Sequence, residues 1–345
     1  MASDYKYVFD NCFPLINEEN MVLAKLGKTR AFRGIMALRK VLRKAGYYKW
    51  KANKQQLRYL KQVEAQDKEK IAELTKKIKE LPPNLLHPKG DETDIIVSLT
   101  THGERFSNSA PFAIYSIFVQ SVLPGRIVVS VDQDRWNDDN LPPLIKLLQK
   151  SGLEVLYCRD VRSHTKLLPA LAKYKNNPII TVDDDMFYEP MMIEELVNAY
   201  KLSDKKTVIC RQGVFPIRKD GKYLPYMKWI ESSVFGEKAN LLKQQVSPFG
   251  VSGVLYPPNV FDDEVFNEEV FLKQAPHTDD IWFWLMEVRN GIKTQLICDA
   301  PYDKDVSVSM MEYLVESEST ALYFQNCFNG RNDREMYALL DYYNM

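Results

Sequence analysis

The sequence predicts an α/β protein built on a parallel, doubly wound sheet. Three observations support this. From Asp94 onward, short β-type apolar runs alternate with helical segments of crossover length. The first of these runs, Asp94–Thr100, reads as a buried strand, as strands covered on both faces do. Polar residues then gather at the carboxyl ends of the runs, at Thr100-Thr101, Asp132 and Asp183–Asp185. Open sheets of this kind bind ligands along that rim.

Taken in order, Asp94–Thr100 is the first strand, and Ala110–Val122 is an apolar-rich helix before Pro124-Gly125. Arg126–Val131 is a second strand that runs into Asp132-Gln133-Asp134. Pro142-Pro143 opens a helix over Leu141–Lys150, since proline suits a first helical turn. Leu153–Tyr157 is a strand, Leu167–Tyr174 a helix and Pro178–Val182 a fourth strand. The second half is more mixed. It offers a strand at Thr207–Cys210, a hairpin around Asp220-Gly221, and a glycine-bearing loop over Pro248–Gly253. His277-Thr278-Asp279-Asp280 opens a helix that closes at Asn290-Gly291. Lys293–Cys298 reads as a last strand, and a helical tail spans Glu312–Tyr343.

The net charge of zero hides an asymmetry. Met21–Val63 holds 13 Lys/Arg and no Asp/Glu, leaving 33 basic and 46 acidic residues elsewhere. Within 21–48, Leu23, Leu26, Phe32, Ile35, Met36 and Val41 interleave with the basic residues at helical intervals, and Tyr47, Tyr48 and Trp50 follow. Such a segment suits an anionic membrane surface, or docking on the acidic body. From Leu57 to Leu81 a heptad places Leu57, Glu64, Ile71 and Ile78 at a, and Leu60, Asp67, Leu74 and Leu81 at d. Two charged core positions argue for a stalk or intrachain hairpin ahead of self-association through 57–81. Five scattered cysteines without metal-ligand spacing read as free thiols of a reducing cytosol. No basic start precedes an apolar stretch and no run nears membrane-spanning length, so neither a signal peptide nor a spanning helix is expected.

The most telling stretch is Ile179–Tyr188, where an apolar run ends in three consecutive carboxylates, Asp183, Asp184 and Asp185. In an extended strand Asp183 and Asp185 share a face. Two carboxylates at a strand end suit a hard divalent cation that keeps positions for substrate phosphates.

A strand-ending Asp-x-Asp, followed about a hundred residues later by an acidic pair opening a helix, resembles the GT-A class of nucleotide-sugar glycosyltransferases. Within that class the chain resembles bacterial enzymes that build surface polysaccharides. The matching segments are Val97–Thr101, Lys166–Leu171, Thr181–Asp185, Asp279–Trp282 with Asn290-Gly291, and Asn332-Asp333. The resemblance covers about 93–340 and implies a GT-A-like Rossmann-type central sheet with flanking helices over 91–302; the basic α-helical region over 1–90 and the helical tail over 303–345 are read from charge and pattern alone. The resemblance also implies Mn2+ or Mg2+ held by Asp183 and Asp185, and a nucleoside-diphosphate sugar contacted by Thr100, Arg105, Asp132, Lys166, Asp183 and Asp184.

Asp280 is the implied general base, within reach of an acceptor hydroxyl. The helix it opens favours its ionised form, which also weakens it as a base. This chain has Asp279 where the class has Glu, so the task of Asp279 is open. His277 reads as a distal metal ligand or as a cap, Gly250 and Gly253 as points of close backbone approach or plain turns, and Trp282–Trp284 chiefly as core. The expected activity is metal-dependent, inverting transfer to a polysaccharide or lipid-linked saccharide at the inner face of the cytoplasmic membrane, with no nucleic-acid partner. The alternatives are a sugar nucleotidyltransferase of the same fold and a non-catalytic binder of nucleic acid or a partner.

Overall fold

The computed structural model describes residues 69–91, 93–235, 245–297, 307–309, 326 and 330–345. The chain divides into two compact units, Met1–Lys70 and Ile71–Met345. The basic 21–63 segment and the first heptads lie outside the described residues, as does most of 298–329. The division falls ahead of the boundary near 90 drawn from composition. Helix α1 (69–80) sends Leu74 and Ile78 into the same buried cluster as the sheet strands, with Ile71 and Leu81 packed on its edge. These are the a and d positions of the heptad, so this part of the seam is spent on the domain's own core.

The central sheet has seven strands in the order β12 (Thr294–Leu296), β6 (Val208–Cys210), β11 (Val254–Tyr256), β4 (Ile179–Thr181), β1 (Ile96–Thr100), β2 (Arg126–Asp132) and β3 (Leu153–Cys158). β1, β2, β3 and β4 are mutually parallel, with Val97 beside both Ile127 and Ile180. The central residues of β1, β2 and β4 are buried on both faces, which is why they read as near-continuous apolar runs, while β3, at the sheet edge, is half-buried. Short helix α2 (Arg105–Asn108) leads into α3 (Ala110–Phe118), buried along its whole length. The expected continuation of α3 to Val122 does not occur. Instead Ser121 donates its N–H to the Pro190 carbonyl, tying this stretch to the segment after β5 (Met186–Tyr188). Helix α4 (Pro143–Lys150) starts on its proline, and α5 (Leu168–Lys173) precedes β4.

Beyond β4 the sheet departs from the all-parallel expectation. After α6 (Met192–Leu202) come β6 (Val208–Cys210), the short pairs β7 (Gly213–Val214), β8 (Arg218–Lys219) and β9 (Lys222–Tyr223), helix α7 (Tyr226–Phe235) and β10 (Ser247–Pro248). β11 (Val254–Tyr256) then inserts between β4 and β6, antiparallel to both. Gly253 makes the entry possible. Its φ of +95° is costly for any side chain, and a Cβ there would press on Met192 and Leu196.

Helices α8 (Glu268–Gln274) and α9 (Asp279–Arg289) follow, then edge strand β12 (Thr294–Leu296), parallel to β6. β13 (Ser307–Ser309) pairs antiparallel with β5, and α10 (Arg331–Tyr342) is the described part of the helical tail. In α9, Trp282, Phe283 and Trp284 are all buried, because this helix is enclosed all round. Trp284 meets Trp229 and Tyr223 edge-on, with ring centroids 5.1 and 5.3 Å apart. That packing fixes where the first turn of α9, with Asp279 and Asp280, can sit.

Candidate active site

The acidic triplet begins two residues beyond β4. Asp184 and Asp185 lie in the turn between β4 and β5, so the strand rule that would align Asp183 with Asp185 does not apply. The three carboxylates are shared between two cations. Arg105 NH1 lies 3.0 Å from Asp184 Oδ1 and 3.2 Å from Asp185 Oδ2. Its neighbour Phe106, fully buried with its ring 4.9 Å from that of Trp136 and edge-on to it, holds α2 in place. Asp183 meets Lys166 instead, at 2.9 Å.

Lys166 closes the 3-10 turn Arg162–Lys166 and is anchored where Ser98 of β1 donates to its carbonyl at 2.7 Å. Its Nζ lies 3.2 Å from Asp279 Oδ2 and 4.0 Å from Asp280 Oδ1. One ammonium therefore joins the strand-end carboxylate to the pair that opens α9, a contact spanning almost a hundred residues of chain. Gly250 completes the junction. Its N–H donates to Asp280 Oδ2 at 3.2 Å, and a Cβ there would lie 2.6 Å from both Asp280 Oδ1 and Lys166 Nζ. The backbone comes this close only because residue 250 has no side chain. Tyr188, buried, accepts from the Asp183 N–H at 2.8 Å and donates to the Val251 carbonyl at 2.9 Å, stitching the triplet to the same loop.

Electrostatics divide the carboxylates into two kinds. Burial pushes Asp185 up to about 7, with Asp184 and Asp183 adding to the rise and Arg105 opposing it. Asp184 is also raised, by burial first. Its Oδ2 is buried and lacks a hydrogen-bond partner. Burial alone would raise Asp279 too, but Lys166 and then His164 outweigh it and hold that carboxyl below its usual range. Asp280 moves the other way, to about 7, through burial and then Asp279 and Asp183, against the pull of Lys166. The helix dipole expected to depress Asp280 is therefore outweighed. The Asp280 side chain remains 37% exposed and is open to a reactant. Lys166 is raised well above its ordinary value despite burial, because three carboxylates surround it.

The other sequence-derived positions divide as well. Thr100 spends its hydroxyl on the Ser130 carbonyl at 2.9 Å, and the neighbouring Thr101, buried, is the one that abuts Asp184. Asp132 lies at the end of β2, two strands from β4, or about 10 Å at ordinary strand spacing. There it accepts from the Asp134 N–H at 3.1 Å and pairs with Arg135 at 3.3 Å. His277 faces Arg162 and Glu335, not the triplet. Asp333 accepts from the Tyr226 N–H at 2.6 Å and so joins α10 to α7. Tyr188 went unnoticed in the sequence because its role depends on a turn no local pattern announces. Among the described residues no group of three or more His, Cys, Asp or Glu forms a ready metal cage, and no helix is long and apolar enough to cross a membrane.

The seven-stranded sheet with its antiparallel insertion and helices on its flanks is a mixed α/β fold. Among solved structures the chain is similar to glucosyl-3-phosphoglycerate synthase from Mycobacterium tuberculosis in complex with Mn2+, uridine diphosphate and phosphoglyceric acid. That match has 14% identity and a TM-score of 0.41, and covers 76% of this chain and 86% of the other. It is also similar to CMP:2-keto-3-deoxy-manno-octonic acid synthetase complexed with CTP, at 12% identity and a TM-score of 0.39, covering 67% and 98%. A mycobacterial protein matches at 20% identity and a TM-score of 0.27, over 34% of this chain and 40% of that one, so less than half of that protein is spanned. No protein-family model matches the chain, and no curated protein matches it.

Proposed function

We propose that this chain is a metal-dependent glycosyltransferase that moves a sugar from a nucleoside-diphosphate donor to a saccharide hydroxyl with inversion at the anomeric carbon. The observation that carries the reading is the junction at Lys166, where a strand-end carboxylate meets a half-open carboxylate raised to about 7. A general base works best with a pKa near the operating pH, and Asp280 has that pKa and that access.

The donor set suits a hard cation. Asp183 and Asp185 would hold it, beside the unpartnered Oδ2 of Asp184; burial first, and then the neighbouring carboxylates, raise Asp185 against the pull of Arg105, and a cation there would favour the ionised form. When bound, the cation would neutralise the charge that develops on the departing diphosphate. Arg105, beside the same carboxylates, would meet the donor phosphates. Asp280 takes the proton of the acceptor hydroxyl as its oxygen bonds to the anomeric carbon and the bond from that carbon to the diphosphate oxygen breaks. Asp279 stays ionised and keeps Lys166 protonated, which limits the charge around the base.

The basic 21–63 segment would bring the enzyme to anionic lipid at the inner face of the cytoplasmic membrane, where a lipid-linked saccharide of surface-glycan synthesis presents its hydroxyl. Sedimentation with anionic vesicles at low salt, but not at high salt, is the expected behaviour.

The test of the chemistry is a panel of nucleotide sugars and nucleoside triphosphates, each with and without Mn2+, read by thermal stabilisation and by slow donor hydrolysis. Metal-dependent stabilisation by a sugar nucleotide, with release of nucleoside diphosphate, is expected. Stabilisation by triphosphates alone, with pyrophosphate released, would replace this reading with nucleotidyl transfer.

A further inference from the structure

We propose that Glu335, on the C-terminal helix α10, is a positioning residue for this site. Through His277 and Arg162 it holds together the two segments that carry Lys166 and Asp279-Asp280. The consequence for turnover rests on Asp280 being the base. The physical coupling does not.

Glu335 is buried, and its carboxylate faces the start of α9. It accepts from the His277 N–H at 3.0 Å and from the Thr278 hydroxyl at 2.8 Å, and His277 Nδ1 lies 3.3 Å away. Thr278 is the N-cap residue of α9, yet its hydroxyl makes no bond within that helix. An N-cap side chain ordinarily satisfies its own first turn. Here it is given to a different helix, and Asp279 and Asp280 are the next two residues.

The other edge of the His277 ring meets Arg162, with NH1 2.8 Å from Nε2. A guanidinium can only donate, so Nε2 accepts. In a neutral ring the proton then sits on Nδ1 and points at Glu335 Oε1. Both neighbours select the same tautomer. Arg162 opens the turn that ends in Lys166, and it does so at φ +64°, a left-handed conformation costly for a side chain of this size. Such a residue persists only where its surroundings over-determine it. The Asp160 carboxylate on its N–H at 2.7 Å and His277 on its guanidinium are two of those surroundings. The chain Glu335–His277–Arg162 thus ties α10 to the same two segments whose side chains meet at Lys166 Nζ.

Hydrogen exchange on the full-length protein tests this, with Glu335→Ala, Glu335→Gln and, as a control for lost packing in the same helix, Leu339→Ala. Leu339 is fully buried, and its side chain has no polar atom to offer these groups. Glu335→Ala is expected to speed exchange both at 278–282 and at the distant turn 162–166, and to lower turnover about tenfold with donor affinity within about twofold, since small misplacements at a reacting centre are costly. Glu335→Gln, which keeps an accepting oxygen, should recover part of both. Leu339→Ala should lower the melting temperature without loosening 162–166. Loosening confined to 278–282, or the same loosening of 162–166 from Leu339→Ala, overturns the proposal.

Ring-nitrogen NMR of His277 in the unaltered chain tests it without any variant. A proton on Nε2 contradicts the relay. If no donor supports transfer, the base reading falls while the exchange result still decides the coupling.

Discussion

Two cations organise this site, and they do so differently. Arg105 meets Asp184 and Asp185 through one guanidinium nitrogen, Nη1, and both carboxylates end up raised. Lys166 offers a point charge to three carboxylates, and the pair on α9 splits, with Asp279 falling and Asp280 rising to about 7. The Arg105 half therefore keeps two buried carboxylates whose ionised forms a further cation would favour. The Lys166 half separates two adjacent aspartates into a permanent counter-ion and a group that titrates near neutrality. Pushing neighbouring titratable groups apart is how a fold assigns an acid–base role. The difference lies in distance and in neighbours: Asp279 sits 0.8 Å closer to Nζ than Asp280 does (3.2 against 4.0 Å) and is also lowered by His164, whereas Asp279 and Asp183 both raise Asp280.

The largest expected effect is on the Arg105 half. Asp185→Ala should abolish metal-dependent donor binding, read by calorimetry with Mn2+ and the donor, while the circular dichroism spectrum stays native. Unchanged manganese dependence would remove Asp185 from that half. Next, Asp280→Asn should cut turnover at least ~10²-fold and leave donor affinity in place, the usual scale for a lost general base. Loss of donor binding instead would merge the two halves into one.

Third, Lys166→Met strands three carboxylates, so urea unfolding near neutral pH should report a loss of about 3–5 kcal/mol, the usual range for a broken buried ion pair. Arg105→Met, which strands two, should lose less. Equal losses would mean the halves are not distinct.

The smallest effect concerns Glu287, further along α9 and fully buried. Burial raises it to about 8, against the hydrogen bond from Thr294, and the charge of Asp280 adds to the rise. In the unfolded chain the same group titrates near 4.5. The folded state therefore binds the extra proton between those values, and stability falls as pH rises across that window. Glu287→Gln should flatten the fall in melting temperature between pH 5 and pH 8, with any slope left by Asp185 and Asp280 ending near 7. A variant as pH-sensitive as the parent would show Glu287 to be ionised in the fold.

Much of this was legible in the chain before it was folded. β1, β2 and β4 are apolar runs whose burial on both faces leaves a pattern, the strand-end rule then points to Asp183–Asp185, and the family resemblance adds Arg105. The Asp279-Asp280 pair announces a helix start. The strand β11 was not legible, because Val254–Tyr256 is three residues long and its antiparallel place depends on Gly253 turning at positive φ. Thr100 was preferred over Thr101, although the rim-facing member of that pair depends on the exact end of β1. The pairing of Asp184 and Asp185 with Arg105, the bridge made by Tyr188 and the reach of Glu335 are contacts between distant segments, and no local periodicity encodes them.

The central claim is that Asp280 is the base and that its raised pKa sets the rate. The most direct measurement is the pH dependence of turnover with saturating donor and Mn2+, for the parent chain and for Asp280→Asn. The parent rate should climb about tenfold per pH unit below 7 and level off above it, as protonated Asp280 gives way to the carboxylate. Asp280→Asn should be slow and flat across the same range. A variant that keeps the parent's rising limb near pH 7 would assign that titration to another group and contradict the account.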